Sequence, residues 1–168
     1  LFSQSFVPIP DASFRSSIET ETGMSEILFE EQYGFNDNVL LSVQELICSQ
    51  ISSFEGIESC INVKKITLFG TIDNNTLPDI SMFGSLPYLD TLIVSGYDLS
   101  QTNFSFVQSF ANVSHLAFLE CNISQIDNFA ISGNVPLSLD FSENYLKNDD
   151  LFNLVNVTNL QKLNVYSY

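Results

Sequence analysis

The sequence is poor in positive charge, in cysteine and in long apolar runs. Twenty Asp and Glu residues face five Lys and Arg residues, which gives a formal net charge of −15. Nucleic acid is therefore excluded as a partner class, because binding it requires a basic face that displaces phosphate counterions. Three cysteines are too few for a disulfide framework. No apolar run approaches the roughly 18 residues of a membrane span, so no direct membrane span is expected.

Motifs for metal binding and catalysis are also lacking. The spacings of Cys48, Cys60 and Cys121 match no zinc pattern, and His115 is the only histidine. The seven glycines are scattered and form no phosphate-binding loop. His115 has no activated nucleophile in a recognisable setting near it. We therefore expect no metal, no cofactor and no catalytic activity.

What the sequence does contain is a repeat. The beat apolar-x-x-apolar-x-apolar occurs six times, starting at positions 43, 63, 89, 113, 136 and 160, so its steps are 20 to 26 residues. Between the beats, apolar residues recur at every third position, as in Ile51, Phe54, Ile57, Cys60 and Val63. On an α-helix, a step of three residues rotates the side-chain direction by about 60°, so a long run would wind around the helix. A 3₁₀ helix has three residues per turn, so every third side chain lies on the same side. A helix buried on all sides is the remaining alternative.

This pattern predicts an α/β repeat solenoid made of leucine-rich repeats. Short parallel strands would form its concave face, and 3₁₀ or irregular segments its convex side. Residues 41–168 would supply about six strands, with the last two apolar residues of each beat inward and the residue between them outward. Residues 1–40 differ and would form a small N-terminal cap. There Asp11 can cap a short helix with Phe14 and Ile18 on one face.

The C-terminal end shows no such cap. Leu160, Leu163 and Val165 would lie on a terminal strand that nothing covers, and an uncapped parallel edge invites pairing. We expect that more repeats or another domain follow in the native protein. Self-association or a partner chain at this edge is the alternative.

The cap and the first repeat resemble a known family. Segment 7–14, VPIPDASF, is similar to the opening of internalin-like secreted leucine-rich-repeat proteins, and segments 51–58 and 62–68 resemble their first repeat. The resemblance implies a secreted or surface-exposed binding module and no particular ligand. The family's asparagine that follows each strand is present only as Asn144. Tyr97, Cys121 and Tyr168 replace it elsewhere, so regular curvature does not follow from the resemblance.

Outward strand positions supply the candidate binding residues. Several of them are apolar or aromatic where solvent alone would not require it, which suits a protein interface. Single exposed apolar residues are also normal on any surface, and this interpretation has about equal weight. The candidate partner-binding residues on the concave face are Lys65, Phe69, Ile93, His115, Leu119, Asp140, Lys162 and Tyr166.

Two features depend on the cellular compartment. Cys48 and Cys60 fall on inward positions of neighbouring repeats, where buried free thiols are expected and a bond between them is the alternative in an oxidising compartment. Five N-x-Ser/Thr sequons are a weak excess over chance and have meaning only in a eukaryotic secretory route. The candidate N-glycosylation sites are Asn74, Asn103, Asn112, Asn122 and Asn156.

These observations favour a non-catalytic protein-binding module of an extracellular or cell-surface protein. Its acidity mainly serves solubility, with steering of a basic partner as the alternative. Two other functions remain open: a structural spacer or self-assembly unit of a surface layer or filament, and an intracellular regulatory repeat segment of a larger protein.

Overall fold

The computed structural model describes residues 5–71, 76–131 and 133–166. In these ranges the strands form a three-stranded antiparallel sheet of order β1-β3-β2 and a six-stranded parallel sheet of order β4-β5-β6-β7-β8-β9. The first sheet consists of Phe6–Pro8 (β1), Ile27–Phe29 (β2) and Gln32–Asn36 (β3). The second consists of Glu45–Ser49 (β4), Lys65–Phe69 (β5), Thr91–Ser95 (β6), His115–Leu119 (β7), Leu137–Asp140 (β8) and Leu160–Asn164 (β9).

Two α-helices precede the parallel sheet, Ala12–Thr22 (α1) and Asp37–Leu40 (α2). The predicted cap of α1 is confirmed, because Asp11 Oδ1 accepts a hydrogen bond from the backbone N–H of Phe14 at 2.8 Å. Phe14 and Ile18 are fully buried. The helix ends at Gly23, which has a φ of 67° and donates its N–H to the carbonyl of Glu19 at 2.8 Å. No helix in the described ranges is long and apolar enough to cross a membrane.

A hairpin in the N-terminal segment was not predicted from the sequence. Strands β2 and β3 pair antiparallel with Phe29 opposite Gln32, so Glu30 and Glu31 form a two-residue turn. Both glutamates have positive φ, 49° and 64°, as a type I′ turn requires. Asn and Gly are the usual residues there, so two glutamates give no turn signal.

The parallel strands hold their apolar residues inward as the beat predicts. Leu46 and Cys48 of β4, Ile66 and Leu68 of β5, and the matching residues of β6 and β7 are at most 1% exposed. The strands pair in register, Leu46 with Ile66 and Cys48 with Leu68. Because successive side chains on a strand alternate, the residues between them lie on the opposite face of the sheet.

The fifth beat departs from the prediction at its first residue. Pro136 is exposed and Leu137 is fully buried instead. Proline has no N–H to give to the ladder, so the strand begins at Leu137, whose N–H donates to the carbonyl of Asn159 at 2.9 Å. The pairing of β8 with β9 is correspondingly irregular between Leu137 and Ser138.

Segments with three-residue periodicity return the chain between the strands. Four of them contain 3₁₀ helices, at Ile57–Ser59, Ser81–Ser85, Phe104–Ser109 and Asp150–Asn156. The described residues between β7 and β8 form no helix. The every-third apolar residues face the core: Ile51, Phe54, Ile57, Cys60 and Val63 are at most 5% exposed. The periodicity therefore identified the buried side of these segments correctly.

Aromatic rings connect one repeat to the next. Phe54 packs edge-on against Phe14 of α1, with ring centroids 5.4 Å apart, and against Phe83 of the following repeat at 4.9 Å. Phe118 stacks on Phe141 with centroids 5.8 Å apart. Such pairs add about 0.5–1.5 kcal/mol beyond their buried area. The core is thus a row of neighbour-to-neighbour contacts that begins at α1.

Asn144 follows β8 and links two turns of the chain. Its Oδ1 accepts hydrogen bonds from the backbone N–H groups of Cys121 and Ile123, both at 3.0 Å. Its Nδ2 donates to the carbonyls of Phe118 at 2.7 Å and Phe141 at 3.0 Å. The side chain is 4% exposed. These bonds are the side-chain-to-backbone contacts that the asparagine position was expected to make.

Cys121 occupies the equivalent position one repeat earlier. Its Sγ lies 3.2 Å from the carbonyl oxygen of Leu119 and 3.5 Å from that of Val94. The thiol also accepts hydrogen bonds from the backbone of Tyr97 and Gly96, but sulfur is a weaker acceptor than the amide oxygen of Asn144. Tyr97, in the same position before it, is 4% exposed, and Tyr168 lies outside the described residues.

Candidate functional site

The outward residues of the parallel sheet form three columns, and we call this surface the outer face. Register places the first column at the start of each strand: Glu45, Lys65, Thr91, His115, Ser138 and Lys162. The second column contains Ile47, Thr67, Ile93, Ala117, Asp140 and Asn164. The third contains Ser49, Phe69, Ser95 and Leu119, and it continues through Ser142 and Tyr166 just after β8 and β9.

All eight candidate binding residues lie on this outer face. Phe69 is 43% exposed and Tyr166 61% exposed. Lys162 is also exposed, and the remaining five candidates are half-buried. The structure thus brings together residues that are up to 101 positions apart in the sequence, from Lys65 to Tyr166.

The candidate residues begin at Lys65 and therefore omit the three exposed outward residues of β4, which are Glu45, Ile47 and Ser49. Ile47 is the apolar one; it is 66% exposed and lies beside Thr67 in the second column. The sequence contained the signal, because the beat at position 43 places Leu46 and Cys48 inward and therefore Ile47 outward.

Four apolar residues alternate between two columns along the first four strands of the sheet. They run from the second column to the third and back, and small residues separate them within each column: Thr67 and Ala117 in one, Ser49 and Ser95 in the other. We call the set the apolar zigzag; it consists of Ile47, Phe69, Ile93 and Leu119.

Charged residues flank the apolar zigzag. The first column carries Lys65, His115 and Lys162. The Nζ of Lys65 lies 3.4 Å from the Oε2 of Glu45, but both side chains are exposed, and such a pair contributes little. On the opposite side, Glu120 follows β7, is exposed and has a φ of 52°. On the first-column side of β4 to β7, Lys64 and Lys65 are balanced by Glu45 and Asp90. The other side is anionic near β7.

Asp140 adds a fixed negative charge at the far end of the second column. Burial raises the pKa of this carboxyl, but hydrogen bonds from Ser142 and Asn164 and the nearby His115 outweigh it and lower the pKa. The backbone N–H of Ser142 donates to Oδ1 at 2.8 Å, and Asn164 Nδ2 donates to Oδ2 at 3.0 Å. The carboxylate is thus held in place and ionised at neutral pH.

Helix α1 borders the outer face at β4. A cavity of about 230 Å³ lies between the hydroxyl-bearing side of the helix and the first strand. Its lining contains four hydroxyl side chains of α1, one exposed apolar residue and two polar residues of the strand end: Ser13, Ser16, Ser17, Thr20, Ile47, Ser49 and Gln50.

None of the described sequon asparagines belongs to the three columns. Asn103, Asn112, Asn122 and Asn156 are all exposed, while Asn74 lies outside the described residues. Asn103 opens a 3₁₀ segment with its Oδ1 accepting from the N–H of Ser105 at 2.9 Å.

The three thiols are buried and free, as expected. Burial raises the pKa of Cys48 to about 11, that of Cys60 to about 12 and that of Cys121 to about 11. A thiol with so high a pKa is a poor nucleophile at neutral pH. Within the described residues, no group of three His, Cys, Asp or Glu side chains is placed to hold a metal ion.

The parallel strands, the 3₁₀ segments and the contacts of Asn144 define an α/β leucine-rich-repeat fold. No protein-family model matches the chain. It is similar to the solved structure of an internalin from Listeria monocytogenes, with 19% identity, a TM-score of 0.56 and coverage of 97% of this chain and 53% of that one. Over 107 residues it is 33% identical to Receptor-like protein 6 of Arabidopsis thaliana, covering 56% of this chain and 11% of the relative.

The chain therefore has an internalin-like leucine-rich-repeat fold. It spans about half the length of the internalin and about a tenth of the receptor-like protein.

Proposed function

We propose that the chain is a non-catalytic protein-binding module of an extracellular or cell-surface protein. In this proposal residues 41–168 form a solenoid whose concave surface is the outer face, and residues 1–40 cap its N-terminal end. The partner docks on the outer face, and the other sides carry the loops and the sequons.

The exposed apolar residues of the outer face carry this proposal. Ile47 and Phe69 are 66% and 43% exposed although they lie on adjacent strands of a sheet whose other face is the core. Packing of the chain does not require large apolar groups there. Exposed anchors with polar residues around them are typical of protein interfaces.

Fold similarity supports a binding role over catalysis. Repeat folds of this kind offer an extended surface rather than an enclosed pocket, and the outer face presents Lys, Ser and apolar side chains on such a surface. A receptor-like relative is consistent with recognition at a cell surface.

The test is selection from a displayed library of random peptides and protein fragments with the immobilised chain. The test variant is Phe69→Ser/Leu119→Ser/Tyr166→Ser. The control variant is Leu28→Ser/Tyr88→Ser/Tyr145→Ser, which removes residues of 60%, 60% and 68% exposure outside the three columns.

Clones that bind the wild type and the control variant but not the test variant would support the proposal, provided that the circular dichroism spectra agree. Binders that tolerate the test variant would refute the assignment of the outer face. If no face-dependent clone appears and sedimentation shows concentration-dependent association, the self-assembly alternative is favoured.

A further inference from the structure

We propose that the segment of the partner that occupies the outer face is an amphipathic α-helix lying along the columns, across β4 to β7. This inference rests on the proposed function and specifies the partner of the same surface. Three observations carry it: the spacing of the apolar zigzag, the charges on its flanks and the border that α1 forms.

The spacing of the apolar zigzag matches the period of a helix. Neighbouring strands are about 4.8 Å apart, so Phe69, Ile93 and Leu119 lie about 5, 10 and 14 Å beyond Ile47 along the column direction. Helical residues at i+3, i+7 and i+10 lie about 4.5, 10.5 and 15 Å beyond residue i at 1.5 Å per residue. The two series agree within about 1 Å.

The offset between the columns fits as well. Ile47 and Phe69 belong to columns that are two residues apart along a strand, which is about 6.6 Å. The i, i+3, i+7 and i+10 residues of a helix alternate between two sides of one stripe in the same way, as in helices that dock into apolar grooves. Among the small residues beside the zigzag, Ser49 is exposed and Ser95 half-buried, whereas Thr67 and Ala117 are buried, so the partner's apolar side chains would contact the zigzag residues themselves.

An extended strand fits this surface less well. Its same-side residues repeat every 6.6–6.8 Å or so, whereas apolar residues within one column of the zigzag recur on every second strand, about 9.6 Å apart. A second copy of the chain would not supply such a helix from α1. This is the longest α-helix among the described residues, and its exposed positions are small or polar, such as Ala12, Ser16 and Thr20.

The flanking charges give the helix a preferred orientation about its axis. Lys64 and Lys65 lie on one side of the zigzag, and Glu45 and Asp90 on the same side balance their charge. Glu120 lies on the other side, which is anionic. A helix with Lys or Arg on the flank toward Glu120 is complementary, whereas carboxylates on that flank are repelled, and this difference selects the orientation.

Helix α1 limits how far the partner helix extends at the β4 end. Ser13, Ser16 and Thr20 line the cavity beside Ile47. A helix terminus leaves four backbone groups without intrahelical partners, and hydroxyl groups can both donate and accept hydrogen bonds. The border of α1 therefore suits a helix end, and the apolar part of the partner begins at Ile47.

The probe is a designed 18-residue helical peptide with leucine at i, i+3, i+7 and i+10, glutamate on one flank and lysine on the other. Fluorescence anisotropy measures its dissociation constant for the whole chain. Three peptides serve as comparisons: the same composition with a central proline, the same composition in an alternating strand pattern, and the helix with its two charged flanks exchanged.

We expect the helical peptide to bind at least tenfold more tightly than the proline-containing and alternating peptides. Ile47→Ser/Ile93→Ser should weaken its binding about tenfold or more, as loss of central apolar anchors does. The exposed-residue control Leu28→Ser/Tyr88→Ser should leave it unchanged. Exchange of the flanks should weaken binding several-fold at low salt, and the difference should shrink at high salt.

The inference and the proposed function fail in different ways. If the library yields face-dependent binders without helical periodicity, and the helical peptide binds no better than its proline variant, the helix inference is overturned while the proposed function stands. If neither library nor peptide shows binding that depends on the outer face, both are wrong. Equal affinity of the helical and the alternating peptide would likewise overturn the helix inference.

Discussion

Asn144 offers the sharpest test of what holds neighbouring repeats together. Its amide bonds two backbone N–H groups, those of Cys121 and Ile123, and two carbonyls, those of Phe118 and Phe141, at 2.7–3.0 Å. At 4% exposure, water has little access to replace these bonds. The substitution Asn144→Ala removes all of these bonds.

The size of the effect follows from the orphaned groups. A buried donor that loses its partner costs about 1–3 kcal/mol. Two orphaned N–H groups therefore give about 2–6 kcal/mol, and the carbonyls add less because each has a second lone pair. We expect Asn144→Ala to lower the free energy of unfolding by about 4 kcal/mol, against a total of about 5–15 kcal/mol for a domain.

Urea denaturation followed by circular dichroism measures this change. The matched control is Asn148→Ala, four positions along the chain and exposed, which should stay within about 0.5 kcal/mol of the wild type. A loss below about 1 kcal/mol for Asn144→Ala, with an unchanged denaturant slope, would refute the reasoning that these bonds are buried and irreplaceable.

Two further predictions concern the N-terminal segment and the thiols. Asp11 Oδ2 also accepts from the N–H and the Oγ of Ser52, at 2.8 and 2.6 Å; burial raises the pKa of Asp11, but these bonds outweigh it and lower the pKa below 3.8. Asp11→Ala should therefore lower the free energy of unfolding by about 1–2 kcal/mol at pH 7. This deficit should shrink as the pH falls below 3.8. The reason is that the stabilisation by the carboxylate is present above its unfolded pKa and is lost when the folded carboxyl is protonated. An equal deficit in urea melts at pH 7 and pH 3 would contradict this. The three buried thiols should resist iodoacetamide at pH 8 in the native chain and all react in urea; mass spectrometry that finds native labelling at the unfolded rate, or a 48–60 disulfide, would show this to be wrong.

The buried half of the fold was predictable because repetition makes one steric rule apply many times. Apolar residues such as Phe54 and Ile57 occupy every third position of these segments. Because every third side chain of a 3₁₀-like segment lies on one side, that side faces the core. The strand registers followed from the same beat. It failed at Pro136, since the apolar pattern does not record that proline lacks the N–H that joins a strand to its neighbour.

The N-terminal hairpin and the full outer face were less accessible to sequence reasoning. Glu30 and Glu31 adopt positive φ because β2 and β3 pair on either side of them, a tertiary effect that local preference opposes. On the outer face, alternation gave the orientation of each side chain, but only the structure shows that Ile47 remains uncovered by α1. The proposal of a helical partner rests on the spacing between strands, which no single repeat contains.

The alternation of inward and outward residues along each strand also divides the residues by what their substitution affects. A mutation at Leu92 or Val94 acts on folding, since both are fully buried, whereas Ile93 between them is only half-buried and faces the surface where the proposed partner docks. If that proposal holds, substitutions at the accessible outward positions change recognition at a smaller cost in stability than substitutions at the inward ones.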